Sequence, residues 1–201
     1  MADDKRRSIL HATLCLLAER GLHGFSMKQL AEKAGVAAGT IYLYFEDKDD
    51  LIRKLHEDIL SEVARRLFVN YDASLPLFEQ YRRMMENLWS FHRDCPEIML
   101  SKAQFDTMPP DLLFGHQGKD PQALLDQRST LLAVFQPMLD LFASGRELGM
   151  IKPLGDEFLC ALCIDPLCDL ARGHYLGIVC VTNDDLNALI AASWDAISTH
   201  P

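Results

Sequence analysis

The sequence predicts an all-α protein: a small N-terminal three-helix unit followed by a larger helical bundle. Three observations carry this. Apolar residues recur at helical spacing through almost the whole chain, and strand-like alternation is absent. Breaks fall at glycines, prolines and polar clusters of the kind that start and stop helices. The 201 residues are 49% hydrophobic, enough to bury a core in one small and one larger domain.

Each element has its own signal. Residues 5–20 carry Ile9, Ala12 and Leu16 at helical spacing and run into Gly21. Ser26 stands at an N-cap position before Met27, Leu30, Ala31 and Ala34, and Gly35 breaks that run. From Gly39 to Phe45, Ile41 and Phe45 repeat the apolar spacing one turn apart. Helices this short cannot persist alone, because nucleation costs more than a few hydrogen bonds return. The helix over residues 5–20 is their expected brace.

A long helix begins near Lys48, with Asp47, Asp49 and Asp50 around its first turn, and carries Leu51, Ile52, Leu55, Ile59, Val63 and Leu67. After a break at residues 71–76, the next helix holds Phe78, Tyr81, Met85, Leu88, Trp89 and His92. Pro96 opens a short helix to about Phe105. Residues 107–119, with Pro109, Pro110, Gly115 and Gly118, read as irregular. Asp120-Pro121 opens a long helix to about Leu148, bent at Pro137. A further helix spans roughly residues 155–176, with a second bend at Pro166. Thr182 and Asp185 resemble a capping box that starts a last helix reaching Ser198.

A brace, a short helix, a glycine turn and a short exposed helix are what seat a helix in the DNA major groove. With Ile41 and Phe45 inward, about 100° per residue turns Gly39, Thr40 and Leu43 outward, flanked by Tyr42 and Tyr44. Small residues at Ala37, Ala38 and Gly39 allow close approach, and the hydroxyls offer donors to phosphate. The net charge of −9 is not the basic footprint of many DNA binders. The acid is unevenly placed, however: residues 1–60 hold nine Lys or Arg against ten Asp or Glu. The excess therefore sits away from the motif.

Residues 6–55 resemble the DNA-binding domain of the TetR/AcrR family of bacterial transcription regulators. The likeness rests on Ile9, Ala12, Leu16 and Gly21, on Phe25-Ser26-Met27 and Leu30-Ala31, and on Ala34-Gly35-Val36. Gly39-Thr40-Ile41-Tyr42, Tyr44-Phe45 and Lys48-Asp49-Asp50-Leu51 complete it. The resemblance implies a helix-turn-helix DNA-binding domain over residues 1–47 and a helical-bundle ligand-binding and dimerisation domain over 48–201. Ser26 and Lys28 would open the second helix against a phosphate. Ala38, Gly39, Thr40 and Tyr44 would face the groove, and Tyr42 and Lys48 would grip backbone phosphates. Ala37 and Ala38 stand where longer polar side chains often read bases, and Leu43 is apolar, so groups for bidentate hydrogen bonding are few.

The resemblance further implies a homodimeric repressor, bound to a semi-palindromic double-stranded operator and released by a small-molecule effector. The dimer interface is expected on the last two helices, at Leu159, Leu162, Cys163, Leu167, Leu186, Leu189, Ile190 and Trp194, which carry more apolar surface than outer helices need. Candidate ligand-binding residues are Met85, Trp89, His92, Phe105, Phe135, Met138, Asp169 and Arg172. Flexible methionines with aromatics suit an adaptable apolar pocket, though the same stripe also suits plain core.

The cysteines leave an alternative. Cys160, Cys163 and Cys168 on one helix suit a thiol- or metal-responsive regulator, but buried cysteines more often act as small apolar core residues. No metal site or cofactor is expected. An enzyme is not expected either, since no glycine-rich phosphate loop, nucleophile elbow or paired-histidine motif occurs. A helical protein-interaction module is the remaining alternative. No run approaches 18 uninterrupted apolar residues and the N-terminus lacks an apolar signal core, so the chain reads as cytoplasmic with no membrane partner.

Overall fold

The computed structural model describes residues 2–114 and 121–199. The sequence-predicted loop residues Gly115, Gly118 and Lys119, and Asp120 at the expected start of the next helix, lie outside the described residues. In chain order the helices are α1 (Ala2–Arg20), α2 (Met27–Ala34), α3 (Ala38–Ile41), α4 (Lys48–Leu67), α5 (Leu77–Asp94) and α6 (Pro96–Asp106). They continue with α7 (Pro110–Phe114), α8 (Pro121–Leu132), a 3-10 turn (Ala133–Phe135), α9 (Gln136–Glu147), α10 (Asp156–Tyr175) and α11 (Asn183–Ile197). Among the described residues no strand forms beyond one isolated antiparallel bridge, Ile151 to Ser198. The chain divides into two compact units, Met1–Ser61 with Glu97–Ala133, and Glu62–Pro96 with Val134–Pro201.

In the first unit α1 is the brace. Ile9, Leu10, Leu16 and Leu17 are buried along it, and Leu30 and Ala31 of α2, Ile41, Phe45, and Leu51, Ile52 and Leu55 of α4 complete this core. Thr13 is fully buried within α1, and its hydroxyl donates to the Ile9 carbonyl at 2.8 Å. A buried polar group is thereby satisfied one turn back. Two glycines make the turns. Gly21 ends α1 at φ +71 and Gly35 ends α2 at φ +68, both in the left-handed region that favours glycine. Val36 N–H then closes back on the Ala31 carbonyl at 3.0 Å.

His56 on α4 packs in the same unit, stacked on Phe105 at 5.0 Å with Phe114 edge-on at 6.1 Å. Its Nδ1 is buried with no hydrogen-bond partner. Burial pushes its imidazole below the ordinary 6.5, opposed by Asp106. The folded state therefore resists a proton that the unfolded chain accepts. This contribution is intact above about 6.5 and is lost as pH falls from there towards the folded value. His56→Phe is expected to flatten stability between pH 7 and 5 relative to the parent protein, in urea titrations at each pH. Parallel curves for the two proteins over that window would remove His56 as the cause.

In the second unit α5 is central. Tyr81, Met84, Met85, Leu88, Trp89, Phe91 and His92 are buried on it. Tyr81 shares a 2.7 Å hydrogen bond with Ser193 of α11, and the Phe78 and Tyr81 rings lie 5.5 and 5.2 Å from Trp194. One face of α5 also orders the preceding loop. Gln80 donates to the Ala73 and Leu75 carbonyls, Arg83 to Asn70, and Asn87 to Leu67 and Val69. Backbone acceptors that neither α4 nor a strand could satisfy are paired in this way.

Two expectations need revision. The single helix from Pro121 to Leu148 is two helices separated by the 3-10 turn Ala133–Phe135. Pro137 has no N–H for the Ala133 carbonyl, so the α-helical ladder stops there. The stretch read as irregular contains α7. Other boundaries agree: α4 spans Lys48–Leu67, and Thr182 and Asp185 form the capping box of α11, with 2.9 and 3.2 Å bonds.

Candidate nucleic-acid interface

The interface is built from the α2–α3 turn outward. Ser26 takes an extended backbone (φ −107, ψ 161) and caps α2 reciprocally with Gln29. Gln29 N–H donates to Ser26 Oγ at 3.3 Å, and Ser26 N–H donates to Gln29 Oε1 at 2.8 Å. Lys28, one residue into α2, is exposed. Regular α-helix in α3 ends at Ile41, earlier than the predicted Phe45. The chain continues as tight turns, with Leu43 N–H on Thr40 O, and Tyr44 and Phe45 N–H on Ile41 O.

The phase of this segment is sharp. Ile41 is 0% and Phe45 1% exposed, whereas Tyr42 is 55% and Leu43 81% exposed. Ala38 and Gly39 are exposed beside them, and Thr40 and Tyr44 are half-buried. Gly39 has a helical backbone, and a Cβ added there would meet nothing within 4 Å. Neither a left-handed conformation nor internal crowding calls for glycine at this position.

Lys48 is placed differently from the sequence expectation of a free phosphate grip. Its Nζ donates to the Leu22 carbonyl at 2.6 Å and to Phe25 at 2.9 Å, and lies 4.1 Å from the centre of the Phe25 ring. Two of its three donors therefore fasten the α1–α2 loop to the start of α4. Partial burial lowers its pKa, against the pull of Asp49. Asp50 does similar work for the next turn, accepting from Glu46 N–H, Arg53 and Lys54. Lys48→Met is expected to lower stability by about 1–3 kcal/mol, because the two carbonyls lose their charged donor. Urea unfolding checks this; an unchanged midpoint would make the brace dispensable.

A model of bacterial regulatory proteins of the tetR family matches residues 9–55, and a model of the tetracyclin repressor-like C-terminal domain matches residues 76–198. The chain belongs to the TetR family of transcriptional regulators. It is 30% identical over 195 residues to an HTH-type transcriptional regulator of Haemophilus influenzae, covering 96% of each chain. A solved TetR-family structure from Vibrio parahaemolyticus is 34% identical, with TM-score 0.79 over 98% of this chain and 100% of that one. The structure of FadR from Bacillus subtilis in complex with stearoyl-CoA shares the fold at 18% identity, with TM-score 0.64 over 94% of this chain and 95% of that one. The helix-turn-helix described above is therefore the DNA-binding part of a TetR-family regulator.

The other predicted sites are dispersed. Met85, Trp89, His92 and Met138 are buried in the second unit, where His92 Nε2 lies 3.3 Å from Cys168 Sγ and Trp89 lies 5.6 Å from the His174 ring. Phe105 belongs to the first unit, against His56. Phe135 is half-buried in the 3-10 turn, and Asp169 and Arg172 are exposed and paired with each other at 2.9 Å. Missed by the sequence was a cleft of about 430 Å³ lined by Tyr71, Gln80, Asp140, Leu141, Ser144 and Met150. Its walls come from two loops and two helices, which no local pattern connects. Leu43, outside the predicted site, is exposed, in agreement with the outward phase that its spacing predicts.

Of the predicted interface residues, Leu159, Cys163, Leu167, Leu186 and Ile190 are buried within a single chain, because α10 and α11 pack on each other and on α5. Leu162 is exposed, and Leu189 and Trp194 are partly so. The strongly exposed apolar residue of α10's first turn is Phe158. The cysteine alternative is not favoured. Burial pushes Cys160 up to about 11 and Cys163 higher still, so neither is a ready thiolate. Among the described residues no group of three or more His, Cys, Asp or Glu is placed to hold a metal ion, and no helix is long and apolar enough to cross a membrane.

Proposed function

We propose that the chain is a homodimeric repressor that binds a semi-palindromic operator and leaves it when a small-molecule effector binds. The observation that carries the DNA-binding face is Gly39, open on its outer side and followed in the chain by buried Ile41 and exposed Leu43. Ala38, Gly39, Thr40 and Tyr44 face the groove. Tyr42, Ser26 and Lys28 meet backbone phosphates, and Lys48 contributes its remaining donor. Residues 1–47 serve as the DNA-binding domain and 48–201 as the effector-binding and dimerisation domain. Acting on DNA, the protein works in the cytoplasm and is not an enzyme.

Two subunits are needed to set two α3 segments about 34–36 Å apart, one turn of DNA. The outer faces of α10 and α11, with Phe158, Leu162, Leu189 and the exposed edge of Trp194, supply the contact between copies. The effector site lies around Met85, Trp89, His92 and Met138, where methionine side chains can yield to a ligand. The stearoyl-CoA complex of FadR supports a ligand with a large apolar part. Effector binding lowers operator affinity by as much as it prefers the subunit arrangement with mis-spaced α3 segments.

Genomic fragments bound by the purified protein should be selected, footprinted and titrated across salt. Two half-sites about one turn apart, and affinity falling steeply with salt, are expected. A protein that is monomeric at all concentrations, or that retains no duplex even in dilute buffer, would overturn the reading.

A further inference from the structure

Among the described residues of the first unit, the strongly exposed large apolar side chains are Tyr42 and Leu43. Both sit on the face that the DNA-binding reading turns towards the groove, and the inference here rests on that reading. The surroundings of Leu43 lack the groups that usually identify a base. Residues 36–45 contain no Arg, Lys, Asn or Gln, the side chains that grip guanine or adenine edges in pairs. Gln29, the nearest carboxamide on α2, is committed to its capping box with Ser26. Thr40, Tyr42 and Tyr44 offer single hydroxyls, which accept or donate to any base or to phosphate. Three consecutive small residues, Ala37, Ala38 and Gly39, lead into this face.

One feature of the major groove is legible to such a surface, the 5-methyl group of thymine, which only apolar contact detects. Leu43 N–H is held by the Thr40 carbonyl at 3.2 Å, so the backbone presenting the side chain is fixed. Gly39 lies one turn before it and leaves open space there. A leucine projecting past a bare glycine forms an apolar step able to receive a methyl group edge-on.

We propose that Leu43, with Gly39 and Ala38 beside it, is a specificity-determining residue that reads thymine 5-methyl groups in each operator half-site. The recognition code of this chain is thus written in methyl groups more than in hydrogen bonds. Leu43→Ala removes the probe at a position whose side chain supports nothing in the fold.

The test uses the selected operator and the full-length protein. Each thymidine is replaced singly by deoxyuridine, which keeps the base pair and the backbone and removes the methyl alone. At least one symmetry-related pair of positions should lose about fourfold in affinity per methyl, the value of one buried carbon group. With Leu43→Ala the same replacements should cost almost nothing. A bound operator indifferent to every replacement, or equal losses with and without the leucine, overturns the proposal and leaves DNA binding intact. Failure to retain any duplex overturns the DNA-binding reading and this proposal together.

Discussion

Replacing Gly39 with alanine is expected to leave the protein at least as stable while costing it most of its operator affinity. The two effects have separate causes. Glycine in a helical backbone is disfavoured relative to alanine by about 0.5–1 kcal/mol, through the freedom it loses on folding. Nothing in the chain stands within 4 Å of the added methyl, so the fold imposes no opposing cost. In the complex the same methyl occupies space where the α3 backbone nears the base edges. Overfilling a close contact costs about 1–3 kcal/mol, which is about tenfold or more in Kd. Urea unfolding and fluorescence anisotropy on one preparation report both quantities. Unaltered affinity would mean that DNA does not approach Gly39 closely, and the account of this glycine would fail.

The contrast between Gly39 and Gly35 shows where sequence is informative. Gly35 follows an apolar run that stops abruptly, so its left-handed turn was readable from the break alone. The bounds of α4, the Ser26 N-cap of α2 and the capping box of α11 are equally readable, because each depends on residues a few positions apart. The inward phase of Ile41 and Phe45 followed from spacing for the same reason.

Properties that depend on which surface meets which were less accessible. Leu159 and Ile190 look like interface residues in a periodic pattern, yet α5 occupies that stripe inside the chain. Periodicity marks an apolar face and is silent about the partner that covers it. Lys48 shows the same limit in another way. A lysine at a helix start opposes the helix dipole, and nothing nearby in sequence shows what offsets this. Two carbonyls of the α1–α2 loop, more than twenty residues away in sequence, accept from its ammonium.

Phe45→Ala and Leu43→Ala are expected to produce opposite phenotypes from positions two residues apart. Phe45 is 1% exposed, closes the core beneath α3, and carries the Lys54 ammonium 5.8 Å above its ring. Truncating such a phenylalanine removes its transfer free energy and leaves a cavity, about 3–5 kcal/mol together. That is a large share of the 5–15 kcal/mol typical of a whole domain. Short α3 cannot sustain itself once its anchor is gone, so DNA binding should fall with the fold, and urea unfolding should show an early transition. Leu43 is 81% exposed, and its truncation should move stability by no more than about 0.5 kcal/mol. Its loss should appear in operator affinity alone. If the Leu43 variant proved the less stable of the two, the segment would be rotated from the phase described here. The apolar step assigned to DNA would then belong to the core.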